Sequence, residues 1–184
     1  MGAVSLQNLS SFTLLKSPTK VKNLAENAKK KGYSAIALTD INITYGLVDF
    51  YKAAKDTGIK PLLGMQLRIN GLIDEANKYD LIVIAKDDQG YKNILRLSSA
   101  VNLLTENGEK ENILTFEDLK KYLGHLILIT PSNLHSELKM LQTNNPKMGA
   151  NYLRKLQDSL PSSSSMYLGV YADSGQQEYI NYIR

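Results

Sequence analysis

An α/β fold with a mainly parallel sheet or barrel follows from three observations. Short apolar runs such as Ala35-Ile36-Ala37-Leu38, DLIVIA from Asp80 and HLILIT from His125 have the length and character of strands covered on both faces. Helical segments separate these runs, so that strand and helix alternate about six times. No block of strands stands alone, which favours right-handed crossovers between parallel strands.

Taken in order, Val4 to Leu9 alternates loosely and predicts a first strand. Ser17-Pro18 marks a helix start, with Ser17 as the cap and Pro18 in the first turn. Val21, Leu24, Ala25 and Ala28 then form one buried stripe, and Gly32 ends the helix. The strand at 35–38 closes on Thr39-Asp40, and Thr44 is expected to cap a helix from Tyr45 to Thr57 that Gly58 stops. An extended segment restarts at Lys60-Pro61 and runs to Ile69. After the strand at 80–85, Asp88 is expected to cap a helix from Gln89 to about Asn102, buried through Tyr91, Ile94, Leu95, Leu97 and Ser98. Thr105 to Asn112 reads as a polar, turn-rich excursion. Thr115 caps a short helix, Phe116 to Tyr122, before the strand from His125 to Thr130. Asn133–Leu141 and Pro146–Leu160 read as helices, Met166–Tyr171 as a strand and Gln176–Arg184 as the start of another helix.

The chain has 184 residues, enough for one well-buried core, and 43% of them are hydrophobic. No apolar run approaches the ~18 residues that a membrane-spanning helix needs, and no basic-then-apolar leader opens the chain. There are no cysteines, which removes disulfides, thiolate metal sites and cysteine nucleophiles. A cytoplasmic location is expected. The net charge of +4 is too mild to indicate a nucleic-acid binder by itself. Only two histidines exist, His125 and His135, so a mechanism needing three imidazoles is excluded.

No phosphate-cradling glycine motif and no Gly-x-Ser-x-Gly elbow is present. Lys20, Lys22, Lys29, Lys30 and Lys31 surround the first helix, and the last three suit its negative carboxyl end. A solvated face explains them, with phosphate contact by Lys29, Lys30 and Lys31 as the alternative. Asp40 lies at the carboxyl end of a strand, where β/α folds place their chemistry. It is either a remnant of a ligand set or a turn-former through an Asx-type hydrogen bond, and with no partner visible the turn role is expected.

The stretch IALTDINITYGLVDFYKAAKDTGIKPLLGMQL resembles the polymerase-and-histidinol-phosphatase (PHP) domain at the N-terminus of the bacterial DNA polymerase III alpha subunit. Ser10 to Leu15, Ala85-Lys86-Asp87, Gly90-Tyr91-Lys92-Asn93, Leu97-Ser98-Ser99 and the segment 113–119 extend the resemblance. It implies a distorted TIM-like β/α barrel, truncated here because the pattern stops midway, with 1–184 as a single domain and residues 1–3 in part vector-derived. Family members bind divalent ions through histidines and carboxylates at strand ends. In this chain the matching positions are Gln7, Leu9, Asp40, Ile41 and Gln66, with Tyr167-Leu168-Gly169 late in the chain. Leu and Ile offer no lone pair and neutral amides bind divalent ions weakly, so no metal and no catalytic residue is expected, with Asp40 as a vestige.

The resemblance therefore implies an architectural domain of a replicative polymerase. Its parent would use Mg²⁺, DNA, the remainder of the alpha subunit and other replisome subunits, while the domain itself is inactive. Two rivals stand beside it. One is a metal-dependent phosphoesterase or 3′–5′ exonuclease with unusual ligands, drawn from Asp40, His135, Glu137 and Asp173. The other is a DNA-binding module built on Lys20 to Lys31, whose binding would fall steeply with salt.

Overall fold

A computed structural model describes residues 2–103, 114–131, 133 and 135–170. Its elements are β1 (Val4–Ser5), α1 (Val21–Lys30), β2 (Ala35–Leu38), α2 (Leu47–Asp56), β3 (Lys60–Asn70) and β4 (Lys78–Ala85), followed by α3 (Asp88–Leu103), α4 (Phe116–Lys120), β5 (Leu126–Thr130), α5 (Glu137–Asn144), α6 (Pro146–Asp158) and β6 (Ser165–Leu168). The six strands form one sheet in sequence order, β1-β2-β3-β4-β5-β6, curled into a half-barrel. The expectations for Gln176–Arg184 and for Thr105–Asn112 lie outside the described residues.

The sheet is mixed. β1, β2 and β3 are parallel, as are β5 and β6, but β4 runs antiparallel to both β3 and β5. The cause is connection length: only the seven residues 71–77 join β3 to β4, too few for a crossover helix and enough for a hairpin turn. The turn is held from outside. The Glu137 carboxylate, at the first turn of α5, accepts from the amides of Leu72, Ile73 and Asp74 at 2.8, 2.7 and 3.0 Å.

Strand register assigns the two faces. Ile36, Leu38, Met65, Leu67, Leu81, Val83, Leu126 and Leu128 face the helices and pack with Ala25 and Ala28 of α1, Phe50 of α2 and Ile94 of α3. Ala37, Ile82, Ile84 and Ile129 form a second cluster on the concave face, with Leu62 and Ile127 against them. Burial on both faces is why the strands read as unbroken apolar runs.

Several caps differ from expectation. α1 starts three residues later than the Ser17-Pro18 signal, with Lys20 at its N-cap and no capping side chain. The Ser17 hydroxyl instead donates to Leu9 O and accepts from the Thr19 amide. α2 begins at Leu47 behind Gly46, and Thr44 Oγ1 reaches Ser98 on α3 rather than a free amide. Asp87, not Asp88, caps α3, its Oδ1 accepting from the Gly90 amide at 3.0 Å. Leu95 is exposed, outside the buried stripe of that helix. β5 starts at Leu126 because His125 adopts a φ of +62°, which is not a strand conformation. α5 begins at Glu137 rather than Asn133, with the Ser136 hydroxyl accepting from the Lys139 amide. Gly32 and Gly58 do end α1 and α2, at φ values of +77° and +68°.

Candidate functional site

Thr39 and Asp40 leave β2 at its carboxyl end, and the chain pairs onward with β3 through an isolated bridge between Ile41 and Gln66. Backbone bonds tie the two segments, from the Gln66 amide to Asp40 O and from the Asn42 amide to Gln66 O. Asn42 takes a φ of +59°, a conformation that asparagine tolerates, and its Oδ1 accepts from the Arg68 amide at 2.9 Å. This joint brings Asp40, Ile41 and Gln66 to one mouth, and Gln7 arrives from the loop after β1.

Asp40 does not hold the following turn. Its carboxylate is 2% exposed and reaches backwards across the sheet to the β1–α1 loop. Oδ1 accepts from the Ser10 amide at 2.7 Å and the Thr13 hydroxyl at 2.6 Å, and Oδ2 from the Ser10 hydroxyl at 2.6 Å. The expected Asx turn is thus replaced by a long-range anchor. Three donors meet one buried anion, the arrangement that lets a carboxylate be buried without a counter-ion.

A second polar chain crosses the concave face beside it. Gln7 Nε2 donates to Gln66 Oε1 at 3.0 Å, and Gln66 Nε2 donates to Asp80 Oδ2 at 2.9 Å. Arg68 then clamps Asp80, Nε to Oδ1 at 2.9 Å and Nη2 to Oδ2 at 3.2 Å. The Asp80 side chain is 1% exposed and that of Arg68 33%, so the pair is desolvated mainly on the acidic side. The bidentate geometry is the one a guanidinium fork favours. Gln66, Arg68, Ile82 and Asp80 share this face because Gln66 pairs with Ile82 and Arg68 with Asp80 across β3 and β4.

Arg68 and Asp80 were not among the residues singled out from the sequence. Their signal was a weak one, two polar residues at alternate positions of the segment MQLRIN and an aspartate opening an apolar strand. Leu9 is half-buried, and its carbonyl accepts from Ser17. Towards the amino end of β3 the concave face turns apolar, and a cavity of about 820 Å³ opens there among Leu6, Leu62, Ile84, Ile127, Ile129 and Tyr167.

The other candidates lie elsewhere. His125 Nδ1 meets Asp87 Oδ2 at 2.8 Å where β4 ends and β5 begins. The Gly90 amide and the His125 ring hold the Asp87 carboxyl below the usual aspartate value. His135 is exposed, Glu137 is engaged by the three amides of the 71–77 turn, and Asp173 lies outside the described residues. Lys29 Nζ donates to Gly58 O at 3.4 Å, and Lys30 and Lys31 are exposed beside it. Among the described residues, no three of His, Asp or Glu stand close enough to share a metal ion. No described helix is long and apolar enough to cross a membrane.

The curled six-stranded sheet with helices packed against it is a TIM-like fold. An amidohydrolase from Chromobacterium violaceum shares it, with a TM-score of 0.58 over 89% of this chain and 75% of that one. At 12% identity that likeness concerns the fold alone. The chain belongs to the PHP domain family, whose model matches residues 5–170. It is 33% identical over 182 residues to DNA polymerase III subunit alpha of Halalkalibacterium halodurans, covering 98% of this chain and 16% of that protein. The same subunit of Bacillus subtilis is 36% identical over 131 residues, and that of Aquifex aeolicus 30% over 185. The chain spans 11% to 16% of the length of these relatives.

Proposed function

We propose that this chain is the N-terminal PHP domain of a bacterial replicative DNA polymerase, and that it serves as an architectural part rather than as a phosphoesterase. The observation that carries the reading is the state of the donors at the strand mouth. Asp80 gives both oxygens to Arg68 and one also to Gln66, and Asp40 gives both to Ser10 and Thr13. A divalent cluster needs several anionic or imidazole donors free to turn towards it. Here the anions are already neutralised or solvated by the protein, Gln7 and Gln66 are bonded to each other, and Leu9 and Ile41 supply no donor. That set does not fit a hydrolytic metal centre.

In this reading the parent polymerase extends DNA with deoxynucleoside triphosphates and Mg²⁺, using residues outside this chain, and the PHP domain braces its neighbours in the same polypeptide. Millimolar Mn²⁺ or Zn²⁺ is expected to leave the melting temperature unchanged to within about 1 °C, because a site that binds nothing gains nothing by mass action. A metal-dependent rise of several degrees would instead support the phosphoesterase reading. The architectural role is tested by deleting residues 1–184 from the full-length protein. Lower thermal stability and lower primer extension are expected, and unchanged behaviour of both would refute it.

A further inference from the structure

The net charge of the chain is gathered at one end of the sheet, opposite the Asp40 mouth. α1 closes on Lys29, Lys30 and its C-cap Lys31, α2 on Lys55, and β3 opens on Lys60; all five lysines are exposed. They belong to one surface. Lys29 Nζ donates to Gly58 O at 3.4 Å, the Gly58 amide bonds to Lys55 O, and the Lys60 amide bonds to Ser34 O. Asp56 is the one acidic residue within 29–34 and 55–60, so these two segments carry +4, which equals the net charge of the whole chain. Among the described residues, none of the five lysines forms an ion pair. Placement near negative helix ends accounts for Lys29, Lys30 and Lys55, but Lys60 stands on a strand.

This patch runs into the apolar cavity of about 820 Å³. Lys60 belongs to both, and Tyr51, whose ring centroid lies 5.5 Å from Lys55 Nζ, forms the cavity wall with Pro61, Leu62, Tyr91 and Tyr167. Tyr51 is 45% exposed and Tyr167 59%. Lysines beside open aromatic rings supply the two things that single-stranded nucleic acid requires, charge for the phosphodiester backbone and a flat face for an unstacked base. A duplex can use only the first, because its bases are already stacked, and an acidic peptide has no base to lay on the tyrosines. The far wall holds Lys86, Asp87 and Asp88, with Asp87 engaged by His125 and the Gly90 amide. Its acidic residues keep the backbone on the Lys60 side.

We propose that this end of the domain binds single-stranded DNA, its backbone along Lys30, Lys31, Lys55 and Lys60 and one base against Tyr51 in the cavity. The choice of DNA over RNA rests on the polymerase reading above, whereas the lysine surface and the stacking wall do not.

The test irradiates the full-length protein with an oligo(dT) of roughly 12 nucleotides that carries 5-iododeoxyuridine, and maps the adducts by mass spectrometry. An adduct on Tyr51 is expected, and unlabelled oligo(dT) should compete it away. No adduct within residues 1–184 would overturn the proposal. So would competition as strong as that of oligo(dT) from duplex DNA, from oligo(rU) or from poly-glutamate. The Lys30→Gln/Lys55→Gln/Lys60→Gln variant alters only exposed side chains. At about 0.15 M salt its Tyr51 adduct is expected to fall on the order of tenfold, because each lysine lost removes one released counterion. An unchanged yield would also overturn the proposal. The mapping and the competition use the unmodified protein and decide the matter however the variant folds. If deletion of 1–184 impairs the polymerase while no adduct forms, only the DNA site is refuted. If the deletion is silent while Tyr51 crosslinks, the architectural role fails and the site stands.

Discussion

Asp40 decides the shape of one whole edge of the molecule. Its three short bonds hold the β1–α1 loop against β2, and each donor would be left buried and unpaired without it. Hydrogen bonds to a charged group contribute about 1.5–3 kcal/mol each, but the three share one anion and do not add in full. Asp40→Ala is therefore expected to destabilise by roughly 3 kcal/mol. Asp40→Asn should lose less, since the amide still accepts through one oxygen. Equilibrium urea unfolding checks both. The Arg68–Asp80 pair behaves differently. Arg68→Met leaves a buried carboxylate with Gln66 as its remaining side-chain donor, and breaking such a pair costs about 3–5 kcal/mol. Arg68 is one-third exposed, which places the expected loss at the lower end of that range. The double variant Arg68→Met/Asp80→Asn should recover part of the loss by removing the charge. Failure to recover any would mean that the arginine acts through packing of its stem.

At the scale of elements, the approach of α3 to β5 is governed by Gly90. A Cβ there would collide with the His125 carbonyl oxygen, and with the Ala85 Cα at 3.2 Å. Helix propensity alone would make Gly90→Ala stabilising by up to about 1 kcal/mol. The obstacle is backbone rather than a flexible side chain, so overpacking wins and a net loss of about 1–3 kcal/mol is expected. A rise in thermal midpoint for this variant would show that α3 shifts freely on the sheet. The same junction explains why His125 leaves strand geometry. Its amide donates to Ser163 Oγ and its carbonyl accepts from the Lys86 amide, so the residue turns to serve two neighbours before β5 begins.

For the molecule as a whole, acid and base limits follow from the carboxylates and one tyrosine. Asp74 is held low by the Tyr79 hydroxyl and Asn77, Asp87 by the Gly90 amide and His125, and Asp118 by Lys121 and Thr115. A lowered folded-state pKa gives stability that is present above the ordinary aspartate value of 3.8 and lost as pH falls through the lowered one. Tyr79 is shifted up, first by burial and then by its bond to Asp74. Its contribution is present below the ordinary tyrosine value of 10.0 and lost as pH rises beyond it. Unfolding midpoints are thus expected to be flat from about pH 5 to 9 and to fall on either side. Asp87→Asn should make the acid limb shallower, and an identical acid limb would remove Asp87 from the account.

Much of the architecture was legible in the chain because its causes are local. Apolar runs at 35–38, 80–85 and 126–130, and the left-handed glycines at 32 and 58, act within a few residues of themselves. The resemblance to PHP domains was likewise carried by contiguous motifs. Polar side chains behaved otherwise. Ser17, Thr44 and Asp88 had the chemistry of caps but lost the role to geometry, and Asp40 found its partners some thirty residues upstream rather than in the next turn. Arg68 and Asp80 meet only because a seven-residue connection forces β4 to double back on β3. By itself the sequence determined which segments become strands and helices, since burial periodicity and backbone sterics are properties of short stretches. Which donor satisfies which buried anion was decided by the tertiary structure alone, because that choice depends on a distance the curling of the sheet creates.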